Sequence, residues 1–335
     1  MTLLDVARRA GVSASTASRA LNGIGEMTPA TRQAVLEAAA ELRYVPFPLA
    51  RSLRTRHTMT IGFVVPDVGA GFYAASLRGA QHTLVDAGYH IMLMDSERDL
   101  EEEVAALRTL VAHRVDGLLL ATTGIDRETF EREVGDRTPC VFFDGVLDDV
   151  GVGAVSPDNL GGIRILVEHL VEHGHRRIAF LSGAQTESSG RERLEAFRLV
   201  AGEAGLNAPD DYVRLCDWDT GSGRAATLEL LALDESPTAV VAASEDLALG
   251  CLQACRERGV EIPRDLALVS FDDCYFAELL APPLTALRAP AGETGRLAAE
   301  LLLEALPNPG APRREERVPL SLVARASCGC PMDQR

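Results

Sequence analysis

The sequence of 335 residues contains no lysine; all 33 basic residues are arginine. This reads as codon preference before function, although arginine suits bidentate contacts to phosphate and guanine. No apolar run reaches the about 18 residues a membrane helix needs, so neither a membrane span nor a membrane partner is expected. The chain opens on a helical motif instead of a charged-then-apolar leader, and a cytoplasmic protein is expected. Seven cysteines (140, 216, 251, 255, 274, 328, 330) are odd in number and lack disulfide-framework spacing. Reduced thiols are the favoured reading, with metal binding or oxidation of Cys328-Gly-Cys330 as the alternative. Nucleophile-elbow and phosphate-loop motifs are missing, and no enzyme is expected.

Two partial motifs fall short. His169-Leu170-Val171-Glu172-His173 puts two imidazoles on one helix face, but no third ligand follows at a recognisable spacing. No metal and no cofactor are therefore expected. Gly221-Ser222-Gly223-Arg224-Ala225-Ala226 resembles a dinucleotide fingerprint. It stands too far beyond the strand ending at Leu215 for the tight phosphate-hugging turn, and reads as a helix-opening loop.

What is present begins with the first fifty residues. Leu3, Val6, Ala7 and Ala10 recur at helical spacing, and Gly11 allows the left-handed turn that ends this helix. Ser13 is placed to cap a second helix, with Ala17, Ala20 and Leu21 inward and Ala14, Ser15, Ser18 and Arg19 outward. Thr28-Pro29 opens a third, whose stripe Val35, Leu36, Ala39, Leu42 closes a small core. Two short helices about a glycine turn, the second small and polar outside, are a helix-turn-helix. Short side chains let its backbone sit deep in a major groove, where the Arg19 fork can pair with guanine.

Thr2-Leu3-Leu4-Asp5-Val6-Ala7, Gly11-Val12-Ser13, Thr16-Ala17-Ser18-Arg19-Ala20-Leu21-Asn22, Thr31-Arg32 and Ala50-Arg51-Ser52-Leu53-Arg54 resemble the signature of the lac repressor/galactose repressor family. The resemblance continues more loosely to about residue 327. It implies a DNA-contacting set of Leu3, Leu4, Ser13, Ala14, Ser15, Thr16, Ser18, Arg19, Asn22, Thr28, Thr31, Tyr44, Ala50, Leu53 and Arg54. Residues 48–54 are expected to fold on DNA as a hinge helix, two copies meeting in the minor groove with Leu53 as wedge. A reader this small covers half an operator, so a homodimer on a pseudo-palindromic double-stranded site is expected. No leucine heptads stand in the last residues to make a tetramer.

Charge divides the same way. Residues 1–56 hold eight arginines against four acids, which leaves −20 of the net −16 to the remainder. A basic head seeks phosphate while an acidic body is repelled by the duplex. Beyond residue 60, Val/Ile/Leu-rich strands alternate with amphipathic helices: Ile61–Val65, His90–Met94, Gly117–Ala121, Val141–Phe143, Ile178–Leu181, Val213–Leu215, Ala239–Ala243, Leu266–Phe271 and Leu320–Val323. This α/β pattern predicts doubly wound parallel sheets, too many units for one. The expected domains are 1–46, a helix-turn-helix head; 47–57, a hinge; and 58–335, a bilobed periplasmic-binding-protein-like body. Within the body, subdomain 1 spans about 58–157 and 288–317, and subdomain 2 about 158–287 and 318–328.

Ligands of such folds sit at the carboxyl ends of strands, between the lobes. The polar residues there are Asp67, Phe72, Tyr73, Asp144, Arg193, Trp218, Glu245 and Asp272. Carboxylates and arginine hold vicinal hydroxyls, and an aromatic face stacks on a sugar's C–H surface, so a carbohydrate effector is expected. Asp246 and Asp273 read as helix N-caps and are left out. The resemblance supports Asp144, Arg193, Trp218 and Asp272 individually. Glu245 stands where sugar-responsive members often carry Asn, and Ala289 where several carry Gln, which argues against galactoside and purine effectors. A transcriptional regulator is expected, with the solute-binding receptor of a sugar transport system as the alternative.

Overall fold

The computed structural model describes residues 1–21, 25–44, 57–135, 138–206, 210–308, 310 and 312–330. Asn22, Ala50, Leu53, Arg54 and the expected hinge helix lie outside them. The chain divides into two compact units, Met1–Thr58 and Met59–Arg335.

Among its described residues the first unit has three helices: α1 (Leu3–Arg9), α2 (Ala14–Leu21) and α3 (Pro29–Glu41). Each start is fixed by a hydroxyl. Thr2 and Asp5 form a reciprocal capping box, Ser13 Oγ accepts from Thr16 N at 3.1 Å, and Thr28 Oγ1 accepts from Thr31 N at 3.2 Å. Between α1 and α2, Gly11 adopts φ +67°, a value that disfavours any side chain. Val6, Ala7, Ala17, Ala20, Val35, Ala38 and Ala39 make the core. Leu36, expected inside, is 44% exposed; the helix turns so that Ala38 takes the inward place. Ala14, expected outside, is half-buried against that core.

The second unit holds two six-stranded sheets, one per lobe. The first lobe carries β1 (Thr60–Val65), α4 (Gly71–Asp86), β2 (His90–Asp95), α5 (Leu100–Ala112), β3 (Gly117–Leu120), α6 (Arg127–Glu133), β4 (Cys140–Phe143) and β5 (Gly153–Pro157). The second carries α7 (Asn159–Glu172), β6 (Ile178–Ser182), α8 (Ser188–Glu203), β7 (Val213–Leu215), α9 (Thr220–Leu231), β8 (Ala239–Ala242), α10 (Glu245–Arg258), β9 (Ala267–Ser270) and β10 (Thr285–Arg288). The chain then returns to the first lobe with α11 (Ala291–Ala305) and β11 (Arg314–Val318), and crosses back with β12 (Ser321–Val323). Strand order is β11-β5-β4-β3-β1-β2 in one sheet and β12-β10-β9-β8-β6-β7 in the other. Among the described residues only the β12–β10 pairing is antiparallel. Central strands such as β3, β4 and β8 are buried at every residue, as helices on both faces require. No helix among the described residues is long and apolar enough to cross a membrane.

Candidate functional site: a groove-reading helix and an interlobe cleft

On the first unit, Ser13, Ser15 and Arg19 are exposed, while Ala14, Thr16 and Ser18 are half-buried beside them. Ser13 and Thr16 are spent partly on each other, their hydroxyls 2.9 Å apart at the helix start. The face is therefore shallow and short-chained, with one long cation, Arg19. Leu4 is 63% exposed at the edge of α1, whereas Leu3 and Tyr44 pack on the core. Thr28 and Thr31 share a hydroxyl contact of 2.8 Å at the start of α3. The amides of this helix start that the Thr28 cap leaves over can donate to phosphate.

In the second unit a cavity of about 190 Å³ opens between the lobes at the carboxyl ends of the strands. Arg193, on the first turns of α8, lies at its centre and is 4% exposed. Its guanidinium rests 3.7 Å above the Phe271 ring, with Trp218 at 5.6 Å. Nε donates to Asn159 Oδ1 at 2.9 Å and Nη1 to the Ala243 carbonyl at 2.6 Å. What remains faces two carboxyls, Asp144 of the first lobe at 3.8 Å and Asp272 of the second at 3.7 Å. Asp144 has φ +65° and accepts a hydrogen bond from Tyr73 Oη at 2.9 Å. A side chain held in that sparsely populated region is aimed by its backbone, as binding residues often are.

The floor beneath Trp218 is Gly183: a methyl group there would stand 2.0 Å from the indole. No larger residue leaves the ring in place. The indole Nε1 is buried without a protein acceptor at bonding distance, although its proximity favours the charged form of Glu187.

The lining is acidic. Asp144, Glu187, Glu245, Asp246, Asp272 and Asp273 face Arg98, Arg193 and Arg288. Burial, reinforced by Asp144, lifts the Glu187 carboxyl to about 8. Burial, with Asp272 and Asp246 nearby, lifts Glu245 to about 7. Burial lifts Asp272 to about 6 although Arg193 pulls the other way, and it raises Asp144 and Asp246. Several of these acids thus hold protons near neutrality and can donate as well as accept.

Of the expected effector residues, Phe72, Tyr73, Asp144, Arg193, Trp218, Glu245 and Asp272 line this cavity. Asp67 does not. It closes its own turn, accepting from Gly69 N at 2.8 Å, and holds Arg98, a lining residue, at 3.5 Å. The capping argument that set aside Asp246 and Asp273 fails. Ser244 caps α10, and Asp273 pairs with Arg325 at 2.8 Å and Arg288 at 2.9 Å. Glu187 and Arg98 were missed, although both follow strands and the same strand-end rule reaches them. Gly221–Ala226 belongs to the opening of α9, capped by Asp219, as the failed fingerprint implied.

A model of bacterial regulatory proteins of the lacI family matches residues 2–46, and one of periplasmic binding protein-like domains matches residues 167–328. The chain is 33% identical over 329 residues to the ribose operon repressor of Escherichia coli K12, covering 97% of this chain and 99% of that protein. It is 30% identical to the transcriptional repressor PurR of Photobacterium profundum, over 97% and 98% of the two chains. Among solved structures, the lac repressor dimer bound to operator and an anti-inducer superposes with a TM-score of 0.87 at 27% identity, covering 98% of this chain and 99% of that one. The CelR–cellobiose complex does so with 0.74 at 33% identity and the same coverage.

Proposed function

The chain belongs to the lacI family of bacterial regulatory proteins, and on that premise we propose that it is an operator-binding repressor induced by a neutral monosaccharide held in the interlobe cleft. Sequence-specific DNA binding and control by a small molecule come with the family. The sugar, its contacts and the direction of its effect are our reading. The observation that carries it is Arg193, seated on an aromatic floor between Asp144 and Asp272. One cation flanked by two carboxyls presents paired donors and acceptors to adjacent hydroxyls, and Trp218 and Phe72 supply ring faces for the C–H side. The cavity is smaller than the about 300–1,000 Å³ of drug-sized pockets, a fit for one sugar ring. A lining of six carboxyls against three guanidinium groups disfavours a multiply phosphorylated ligand, which would have to displace or protonate the acids.

The protein acts as a dimer on a two-fold DNA site in the cytoplasm, and no catalysis is assigned to it. Asp144 belongs to the first lobe and Arg193 and Asp272 to the second, so a ligand touching all three favours one lobe spacing. A 100-fold preference for that state supplies about 2.7 kcal/mol of coupling to DNA. The test uses the full chain. It selects operators from a random duplex pool and is then titrated with neutral pentoses and hexoses, with sugar phosphates and purines as comparison. The expected result is a two-chain complex released by one neutral sugar, with the release lost in Asp272→Asn and operator affinity retained. Release by a purine or a sugar phosphate alone would overturn the effector class, and absence of sequence selection the operator reading.

A further inference from the structure

The two fragments that led nowhere in the sequence meet in the fold. His169 lies in the last turn of α7 and His173 is its C-cap, four residues apart and on one face. Against them lies the last described segment, Cys328 ending a 3-10 turn and Cys330 two residues on. One ligand atom from each of His169, His173, Cys328 and Cys330 lies within 4.8 Å of all the others. Cys330 Sγ is 3.1 Å from His173 Nε2 and 3.6 Å from His169 Nε2.

We propose that these four side chains bind one zinc ion, a closed Cys2His2 site that fastens the end of the chain to α7. Zn–S bonds of 2.3 Å and Zn–N bonds of 2.0–2.1 Å set tetrahedron edges of about 3.3–3.8 Å. The observed separations bracket those edges, and the widest needs to contract by only about 1 Å. A thiol–imidazole hydrogen bond would need two of these groups; four converging soft and borderline donors, with no carboxylate among them, select zinc.

The surroundings hold the ligands as a metal site requires. His173 Nδ1 lies 2.8 Å from the His169 carbonyl, so its proton sits there and the Nε2 lone pair points at the sulfur. The Thr285 hydroxyl donates to Cys328 Sγ at 3.1 Å, with the Arg325 carbonyl 3.3 Å from the same sulfur. Ser327 anchors the turn between the two, donating to the Leu268 carbonyl at 2.6 Å and accepting from Thr285 N at 2.8 Å. Cys328 is buried, while His173 is exposed and leaves a way in for the ion. With four protein ligands no position stays open for substrate, so the role is structural.

Untagged full-length protein, purified under reductant, is expected to carry about one zinc per chain by elemental mass spectrometry, falling at least tenfold in the His173→Ala/Cys330→Ser double variant. After chelation, cobalt(II) should give the intense visible bands of a tetrahedral thiolate–imidazole site, bleached by one equivalent of zinc. Circular dichroism of the double variant separates lost ligands from lost fold. If that variant does not fold, His173→Ala alone should weaken cobalt binding at least 100-fold. A weak octahedral cobalt spectrum, zinc content unchanged by the variants, or a Cys328–Cys330 disulfide in the reduced preparation would overturn the site. None of these readouts depends on operator or effector.

Discussion

The groove-reading face of α2 and the interlobe cleft both recognise a partner, and they are built in opposite ways. On α2 the residues expected to meet DNA are mostly short, three exposed and three half-buried, and only Arg19 carries charge. In the cleft six carboxyls and three guanidinium groups crowd about 190 Å³, and the central guanidinium belongs to a residue that is 4% exposed. The fully buried core of the head is made of other positions, although Leu3, Ala14 and Tyr44 of the expected contact set pack against it. The cleft cannot separate the two tasks. Arg193 binds Asn159, the Ala243 carbonyl and the Phe271 face, so a side chain proposed to hold the ligand is also part of the second lobe's own packing.

The sharpest way to break that contrast is Arg193→Ala. Removing one partner of a buried charge cluster costs about 3–5 kcal/mol. We expect that loss in the body's denaturant unfolding, followed by the fluorescence of Trp218, the only tryptophan. A loss below about 1 kcal/mol would mean that the guanidinium is not what holds the cleft.

Next comes pH. Glu187, facing Asp144, Arg98, Arg193 and Trp218, has its folded value raised to about 8, above the 4.5 of an ordinary glutamate. The folded state keeps a proton that the unfolded chain has released. Its contribution is complete below about pH 4.5 and is lost as pH rises through 8, by up to about 1.4 kcal/mol per pH unit. Glu187→Gln should flatten the fall in body stability between about pH 5 and 8. Equal slopes in both proteins would assign the proton elsewhere, with Glu245 the next candidate. The smallest effect belongs to the exposed face. Arg19→Ala should cost about 1–3 kcal/mol of operator binding and relax preference at one base per half-site. Uniform weakening on all sequences would make Arg19 a phosphate contact instead.

The same contrast governs what could be read in advance. The head was legible nearly residue by residue, because capping hydroxyls, the Gly11 turn and helical spacing are local signals. The α/β class was legible because buried parallel strands such as Ile61–Val65 are continuous apolar runs. Three strands were not. Arg314–Val318 is an edge strand of mostly charged residues with only Val318 buried, while Gly153–Pro157 and Thr285–Arg288 are short and sit at lobe crossings. In the cleft, acids at strand ends could be found one by one. Which of them share a cavity depends on two sheets meeting, so Asp67, which reaches the cavity only through Arg98, was included and Asp246, which lines it, was left out. The His169, His173, Cys328, Cys330 cluster was invisible for the same reason: about 155 residues of chain separate its halves.

The order of strands also sets a timetable for synthesis. The first lobe lacks α11 and β11 until Val318 has been made, and the second lacks β12 until Val323. The family match of the head ends at residue 46, about 270 residues earlier. At about 5–20 residues per second, roughly 14–54 s separate the two events on the ribosome. Throughout that interval the nascent chain carries the whole sequence of a half-operator reader on a body whose two sheets are still incomplete.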